Sequence, residues 1–424
     1  MKLDHLRLLG AFGTNKIMAG ELSRLCKRAL DGQRSRELLA VPPRKVGPGG
    51  IVYPYAHDLA AVAVTYHRTS ARVLWDVALS GASRLEPLYA ELYEDFMTED
   101  RPWFTRGGSL SVLAFGTQSV EAGDRQVVGV VKNAIVDAGR ARGIDWQVDA
   151  ENPDVILHVR AVPTGDSEES TAKTELTVSL DLAGRPMHQR GYRLAHGDAP
   201  LREDLAAALV LLARHNAKEQ ILVDPMAGSG TLLLEAGLLA SARSIWQAGE
   251  TPVGARLPGL GEALAPLPPA LFPDTEAELY GAEIDPMTAG HLQDNAVRAG
   301  LRERITLHSG DFRDWDLGKR LAGRPPGLIL TNPPYGARMG GSPTELGRLY
   351  KDLATFCRSL PGAGAGWTAA FLVGDASEEE RAQQGDSNRE SSVALFIRSV
   401  GGKPRIKKPL SNGPLRGQFL LYDL

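Results

Sequence analysis

The 424-residue chain contains no run of about 18 apolar residues, so no segment is expected to cross a membrane as a helix. Its first residues, Met1-Lys2-Leu3-Asp4-His5, lack the apolar core of a secretory signal. Cysteine is scarce: Cys26 and Cys357 are the only two, and their spacing is not that of metal ligands. No metal is expected, and both thiols read as packed or idle in a reducing compartment, which predicts a cytoplasmic protein. A global charge excess is also missing, with a net charge of −3. The balance is uneven, however. Residues 1–50 hold ten Lys/Arg against four Asp/Glu, and residues 401–424 hold five Lys/Arg against one Asp. Basic ends on a near-neutral body suit a polyanion bound along one side, or are solvated helix faces.

What is present is an ordinary globular composition, 43% hydrophobic and 23% charged. The length suggests about three domains. Residues 1–74 read as a small α+β unit. A helical pattern at Glu21–Cys26 is followed by a Pro/Gly-rich turn over 41–50, a strand at Gly50–Pro54 and a helical run from His57 to Leu74. Over 75–195 the pattern changes. Val127, Val128, Val130, Val131, Ala134, Ile135 and Ala138 recur at helical spacing on a helix that also carries Lys132. Residues 154–162 form a strand, and Leu176, Val178, Leu180 and Leu182 alternate as a half-buried one. His188-Gln189-Arg190-Gly191-Tyr192-Arg193 follows; it is either an exposed strand end or a contact in which two arginines and a Tyr meet phosphates and a base.

From 196 onward the pattern is strand, turn, helix. Ala199-Pro200-Leu201-Arg202-Glu203-Asp204 opens a helix, with proline and acids at its start. The strand 219–223 runs into Asp224-Pro225-Met226-Ala227-Gly228-Ser229-Gly230-Thr231 and a helix from Leu232. This is the first half of a nucleotide-binding βαβ unit, in which Gly228 and Gly230 let backbone approach a ligand. A Gly/Pro-rich insertion over 241–273 reads as a lid or a nucleic-acid contact loop. The next strand ends in Glu283-Ile284-Asp285-Pro286; Glu283 is placed to accept from two ribose hydroxyls, and Asp285 to cap a helix. A third strand ends at Asp311-Phe312, an acceptor for an adenine amine and a flank for its ring.

The fourth strand, Leu328–Leu330, stops at Thr331-Asn332-Pro333-Pro334-Tyr335-Gly336, because two prolines cannot continue a ladder. The loop lies at the carboxyl end of a strand, where open α/β sheets bind ligands. The Asn332 side-chain carbonyl, the Pro333 carbonyl and the flat Tyr335 suit a planar ring with an exocyclic amine; a plain Pro-Pro turn is the simpler reading. Such an amine is a poor nucleophile, and two acceptors on its hydrogens localise its lone pair. A helix over 344–360 and a strand over 367–373 follow, then a last pair of strands, 393–399 and 418–424.

This order of motifs resembles class I S-adenosylmethionine-dependent methyltransferases. Asp224–Thr231 is similar to their glycine motif, and Asn332–Tyr335 to the catalytic motif of members that methylate exocyclic amines. Residues 75–195 resemble the RNA-binding THUMP domain. With Ala199–Glu203 and the terminal Ser411-Asn412-Gly413-Pro414-Leu415, the pattern is most similar to the bacterial 23S rRNA guanine-N2 methyltransferase L family. Ala227 stands where that family commonly has cysteine, and Ala337-Arg338-Met339 lacks its usual acid before the arginine.

The resemblance implies an α/β fold. A Rossmann-like seven-stranded class I methyltransferase, residues 196–424, follows a ferredoxin-like unit, 1–74, and a THUMP domain, 75–195. It also implies a monomeric enzyme with no membrane partner that moves methyl from S-adenosylmethionine to guanine N2, in 23S rRNA. Transfer to tRNA guanine, or to adenine N6, are the alternatives. Asn332, Pro333, Pro334 and Tyr335 would be catalytic. Pro200, Leu201, Asp224, Met226, Gly228, Gly230, Thr231, Glu283, Ile284, Asp311, Phe312 and Asn332 would bind the cofactor. Lys132, Arg190, Tyr192, Arg193 and Arg338 would bind RNA.

Overall fold

The computed structural model describes residues 4–117, 119–163, 174–193, 201–335, 343–361, 366–375, 391–412 and 415–424. They fall into two compact units. One comprises Met1–Gly10, Met18–Met187 and Ser244–Pro268; the other comprises Ala11–Ile17, His188–Arg243 and Pro269–Leu424. Among the described residues, no helix is long and apolar enough to cross a membrane.

In the first unit the elements are β1 (His5–Gly10), α1 (Asn15–Ala29), α2 (Gly32–Leu39), β2 (Arg44–Lys45), β3 (Gly50–Pro54), α3 (His57–Tyr66) and β4 (Ser70–Ser80). They continue with α4 (Leu85–Thr98), α5 (Pro102–Thr105), β5 (Gly108–Phe115), α6 (Asp124–Ala141), β6 (Trp146–Val148), β7 (Val155–Pro163) and β8 (Thr174–Asp181). One eight-stranded sheet, in the order β2-β3-β1-β4-β8-β7-β5-β6, takes in all of the strands. The expected boundary at 74/75 falls inside β4, which pairs with β1 on one side and β8 on the other. The two N-terminal segments therefore share a sheet.

The helical run from His57 does not reach Leu74. It ends at Tyr66, because the buried Glu21 of α1 captures the next backbone donors. Its carboxylate accepts from the N–H of Arg68 at 2.9 Å and from the N–H and hydroxyl of Thr69 at 3.0 and 2.6 Å. Donors held this way cannot continue an i→i−4 ladder, and the chain leaves as β4.

The 241–273 insertion also differs from its expected reading. Residues 244–268 are part of the first unit and include a short helix, α9 (Leu260–Leu264). The Ile245 N–H donates to the Thr65 carbonyl at 2.9 Å, and Trp246 Nε1 donates to the Val64 carbonyl at 2.9 Å. Gly254 N–H donates to the Leu182 carbonyl at 3.0 Å. These tertiary hydrogen bonds have no periodicity that a sequence pattern can reveal.

The second unit contains α7 (Glu203–Leu212), β9 (Leu222–Asp224), α8 (Thr231–Ala240), β10 (Leu279–Glu283), α10 (Pro286–Arg298), β11 (Ile305–Ser309) and α11 (Leu317–Arg320). After these come β12 (Leu328–Thr331), α12 (Pro343–Ser359), β13 (Thr368–Asp375), α13 (Ser392–Val400), β14 (Ile406–Asn412) and β15 (Leu415–Asp423). The seven-stranded sheet runs β11-β10-β9-β12-β13-β15-β14, parallel as far as β13. Its central strands are continuous apolar runs, as strands covered on both faces must be. Helices α7, α8 and α10 close one core, and α12 and α13 close the other.

The expected strand over 393–399 is helix α13. Ser391 Oγ accepts from the Ala394 N–H at 3.1 Å, and Val393, Phe396 and Val400 fall on one buried stripe. The β-branched and aromatic residues of Val393–Ile397 suit a strand, but cap and period decide for helix. The hairpin partner of the last strand is instead β14, in register from Ile406↔Leu421 to Asn412↔Leu415.

Candidate active site

The chain leaves β9 outward to β10 and β11, then returns to place β12 on the other side of β9. That reversal opens a crevice at the carboxyl ends of the strands. A cavity of about 650 Å³ lies there, within the range of about 300–1,000 Å³ usual for ligand sites. It is lined from the ends of β9 (Asp224 to Ser229), β10 (Glu283 to Asp285), β11 (Gly310 to Arg313) and β12 (Asn332 to Tyr335).

The glycine turn is built so that two glycines do different jobs. Gly228 has φ of +55°, and an added Cβ would meet nothing within 4 Å, so its bare backbone faces open space at the cavity. Gly230 has φ of +87°, and a Cβ would lie 2.7 Å from Leu292 Cγ. Gly230 does not line the cavity. It lets α8 pack on α10, which changes its expected role from ligand approach to helix packing.

Glu283 is held from both sides. Its Oε2 accepts from the Gly228 N–H at 2.8 Å and its Oε1 from the Asp285 N–H at 2.9 Å. A carboxylate has about four acceptor positions, so two remain for hydroxyls in the cavity. Asp285 caps α10 as the sequence implied, accepting from the Thr288 N–H at 2.9 Å. Asp224 is fully buried, and that burial pushes its carboxyl up to about 7. Asp311 accepts from the Arg313 guanidinium at 2.9 Å, and these hydrogen bonds hold it below the usual carboxylate range. Any adenine amine must therefore share that carboxylate with Arg313. Phe312 is buried edge-to-face against Phe356, and it lines the cavity along with Leu201, Met226, Thr231 and Ile284.

The Asn332 loop supplies the other end. Asn332 Oδ1 is buried and accepts no hydrogen bond from the described residues. Leaving such an acceptor unmet costs about 1–3 kcal/mol, which a ligand N–H would recover. Tyr350, buried on α12, donates its hydroxyl to the Pro334 carbonyl at 2.7 Å and fixes the double-proline turn. The Tyr335 ring rests on Gly374 of β13, where a Cβ would come within 2.5 Å of Cζ and 2.6 Å of Cδ2. Tyr350 and Gly374 were not singled out from sequence. Each lies far from the motif along the chain and is joined to it only through β13 and α12.

The residues expected to touch RNA fare differently. Arg190 and Tyr192 are 5% and 3% exposed, and the Arg193 side chain is 10% exposed. Tyr192 donates to Glu235 at 3.0 Å, and Arg190 lies 3.5 Å from the same carboxylate. Arg193 Nη2 donates to the Leu201 carbonyl at 2.7 Å and to Thr231 Oγ1 at 3.0 Å, and pairs with Glu203 at 3.2 Å. Burial pushes the Glu203 carboxyl up to about 7. The expected RNA contact at these three positions is therefore corrected: Arg190 and Tyr192 hold Glu235 of α8, Arg193 ties the start of α7 to the first residue of α8, and Leu201 and Thr231 both line the cavity. The periodicity of buried polar residues is no different from that of an exposed loop, so sequence offered no warning. Lys132 is half-exposed on α6. Pro200 and Arg338 lie outside the described residues, as do Gly413 and Pro414.

Residues 190–398 match the family model described as RMKL-like, methyltransferase domain. The Ribosomal RNA large subunit methyltransferase K/L of Magnetococcus marinus is 30% identical over 419 residues, covering 93% of this chain and 52% of its own length. That of Ectopseudomonas mendocina is 34% identical over 310 residues, covering 67% and 39%. The chain thus spans about half the length, or less, of these curated relatives. Among solved structures, TrmN from Thermus thermophilus superposes with a TM-score of 0.62 at 22% identity, covering 99% of this chain and 100% of its own. A Listeria monocytogenes protein named a predicted N6-adenine-specific DNA methylase superposes at 0.73 and 22%, covering 100% and 96%. At such identities the likeness establishes the class I methyltransferase fold. Residues 190–398 of this chain are thus similar to the RMKL-like methyltransferase domain.

Proposed function

We propose that the chain transfers methyl from S-adenosylmethionine to the exocyclic N2 of a guanine in large-subunit ribosomal RNA. The observation that carries this reading is the buried, unmatched Asn332 carbonyl at the cavity wall. When bound, S-adenosylmethionine supplies an electrophilic methyl on a positively charged sulfur.

The chain's own residues do the rest. Glu283 holds the two ribose hydroxyls with its free acceptor positions, while Gly228 and Asp285 keep its carboxylate aimed. Phe312 and Ile284 flank the adenine, and Asp224 answers the positive end of the donor. Asn332 Oδ1 and the Pro333 carbonyl accept from the target amine. Both acceptors withdraw its hydrogens from the lone pair, which then points away from the ring plane. Tyr335, braced by Gly374, stacks on the base. The base reaches this site unpaired or flipped. No cysteine takes part: burial pushes the thiols of Cys26 and Cys357 up to about 12, and neither lines the cavity. The first unit, which holds residues 75–187 of the 75–195 segment read as a THUMP domain, carries the RNA.

The names of the curated relatives favour ribosomal RNA over transfer RNA. The test is transfer of labelled methyl to 23S rRNA and bulk tRNA in parallel, followed by digestion to nucleosides. N2-methylguanosine in 23S rRNA is the expected product. The same product in tRNA alone overturns the substrate, and N6-methyladenosine overturns the base.

A further inference from the structure

In the first unit, helix α6 packs on one face of β5, where Leu110 and Val112 are buried. The opposite face of β5 is not apolar core. It presents Leu113 and Phe115, 38% and 52% exposed, opposite His158 and Arg160 of β7. The Phe115 ring stacks on the His158 imidazole, with centroids 5.6 Å apart and planes 25° apart. One side of the phenyl is therefore supported, and the ring remains half open to solvent.

The same sheet face carries two ion pairs, and Arg160 belongs to neither. Arg7 pairs with Asp76 at 2.7 Å, and Ser179 also donates to Asp76. Arg72 pairs with Asp181 at 2.6 Å, and His158 lies 3.1 Å from that carboxylate. Arg160 has no ion pair among the described residues, and burial followed by repulsion from Arg7 depresses its guanidinium pKa. A half-buried cation short of a counter-charge favours an anion beside it. An open aromatic face next to a phosphate-seeking cation is the arrangement by which sheets hold unpaired bases. A duplex offers no free base face to such a platform.

We infer that the β5–β7 face is an RNA-binding site, in which an unpaired base stacks on Phe115 and Arg160 takes the neighbouring phosphate. The inference rests on the reading that this chain acts on RNA. It places the contact on the face of the sheet away from α6, and so away from Lys132.

The experiment is fluorescence anisotropy of the full chain with a labelled single-stranded ribo-oligonucleotide and with its duplex. Donor affinity by calorimetry is the control for folding. Phe115→Ala is expected to weaken single-strand binding about tenfold, and Phe115→Trp to preserve it. Arg160→Gln is expected to weaken it and to reduce the slope of log affinity against log salt by about 0.7. Duplex binding and donor affinity are expected to stay unchanged. Full single-strand affinity in Phe115→Ala overturns the site, as does equal weakening for duplex. Full affinity in that variant also leaves the exposed ring to a protein partner. A wild-type chain that binds neither RNA overturns the proposal by way of the RNA reading itself.

Discussion

Gly374→Ala is the most informative single change in the methyltransferase unit. Gly374 lies in the paired stretch of β13, opposite Gly417, so alanine meets no backbone objection there. The atoms nearest to an added Cβ are those of the Tyr335 ring. To go from 2.5 Å to the 3.4 Å at which ordinary contact begins, Cζ must retreat by about 0.9 Å. Cε2 lies closer still and must move further. Overpacking of this kind costs about 1–3 kcal/mol of stability. A displacement of about 1 Å in a positioning group lowers turnover about a hundredfold. The expected result is a large loss in single-turnover methyl transfer with a smaller change in donor affinity by calorimetry. In a Tyr335→Ala background, adding Gly374→Ala should cost less than about 0.5 kcal/mol, because the obstacle is gone. Wild-type turnover in Gly374→Ala, or an equal stability cost in both backgrounds, refutes the bracing of Tyr335 by Gly374.

Two further predictions concern the donor pocket. Glu283→Ala should raise the donor Kd at least tenfold, since hydrogen bonds to a charged acceptor contribute about 1.5–3 kcal/mol each; calorimetry with unaltered affinity contradicts the assigned role. Arg193→Met should loosen Leu201 and Thr231 together and raise the donor Kd, with Arg193→Lys restoring part of the loss. Its stability cost should also depend on pH. Glu203 has a folded pKa raised to about 7 by burial, so it is mostly protonated below that value and mostly ionised above it. Arg193 lowers that pKa, so removing it costs little at pH 5.5, where Glu203 is already neutral, and more at pH 8, where ionisation has lost its partner. Denaturant titrations should find the larger loss at pH 8, and equal losses at both pH values rule out the pair.

The βαβ half, the acid after β10 and the double-proline loop were legible because each is local: strand, turn chemistry and cap all lie within a few residues. Asp285 is the clearest case, since an acid before proline at a helix start has one structural meaning. The errors share a cause. Helix α3 was overrun because Glu21, far upstream, decides where it stops. Arg190, Tyr192 and Arg193 suit a nucleic-acid contact by sequence because a buried ion network and an exposed basic loop have the same letters. The anchoring of the 241–273 insertion, read as a lid or a nucleic-acid contact loop, is not legible because its partners, Val64, Thr65 and Leu182, are contributed by another part of the chain. In α13 a strand-like composition was overruled by one serine cap and a helical period. Gly374 and Tyr350 matter only through what they touch, and no motif marks them.

The account turns on Asn332, whose buried side-chain carbonyl waits for a donor. The most direct measurement is single-turnover methyl transfer by Asn332→Ala, paired with calorimetry of donor binding on the same sample. The account predicts near-normal donor affinity with turnover reduced about a hundredfold or more. Unchanged turnover in that variant would contradict the assignment of this loop to the target amine.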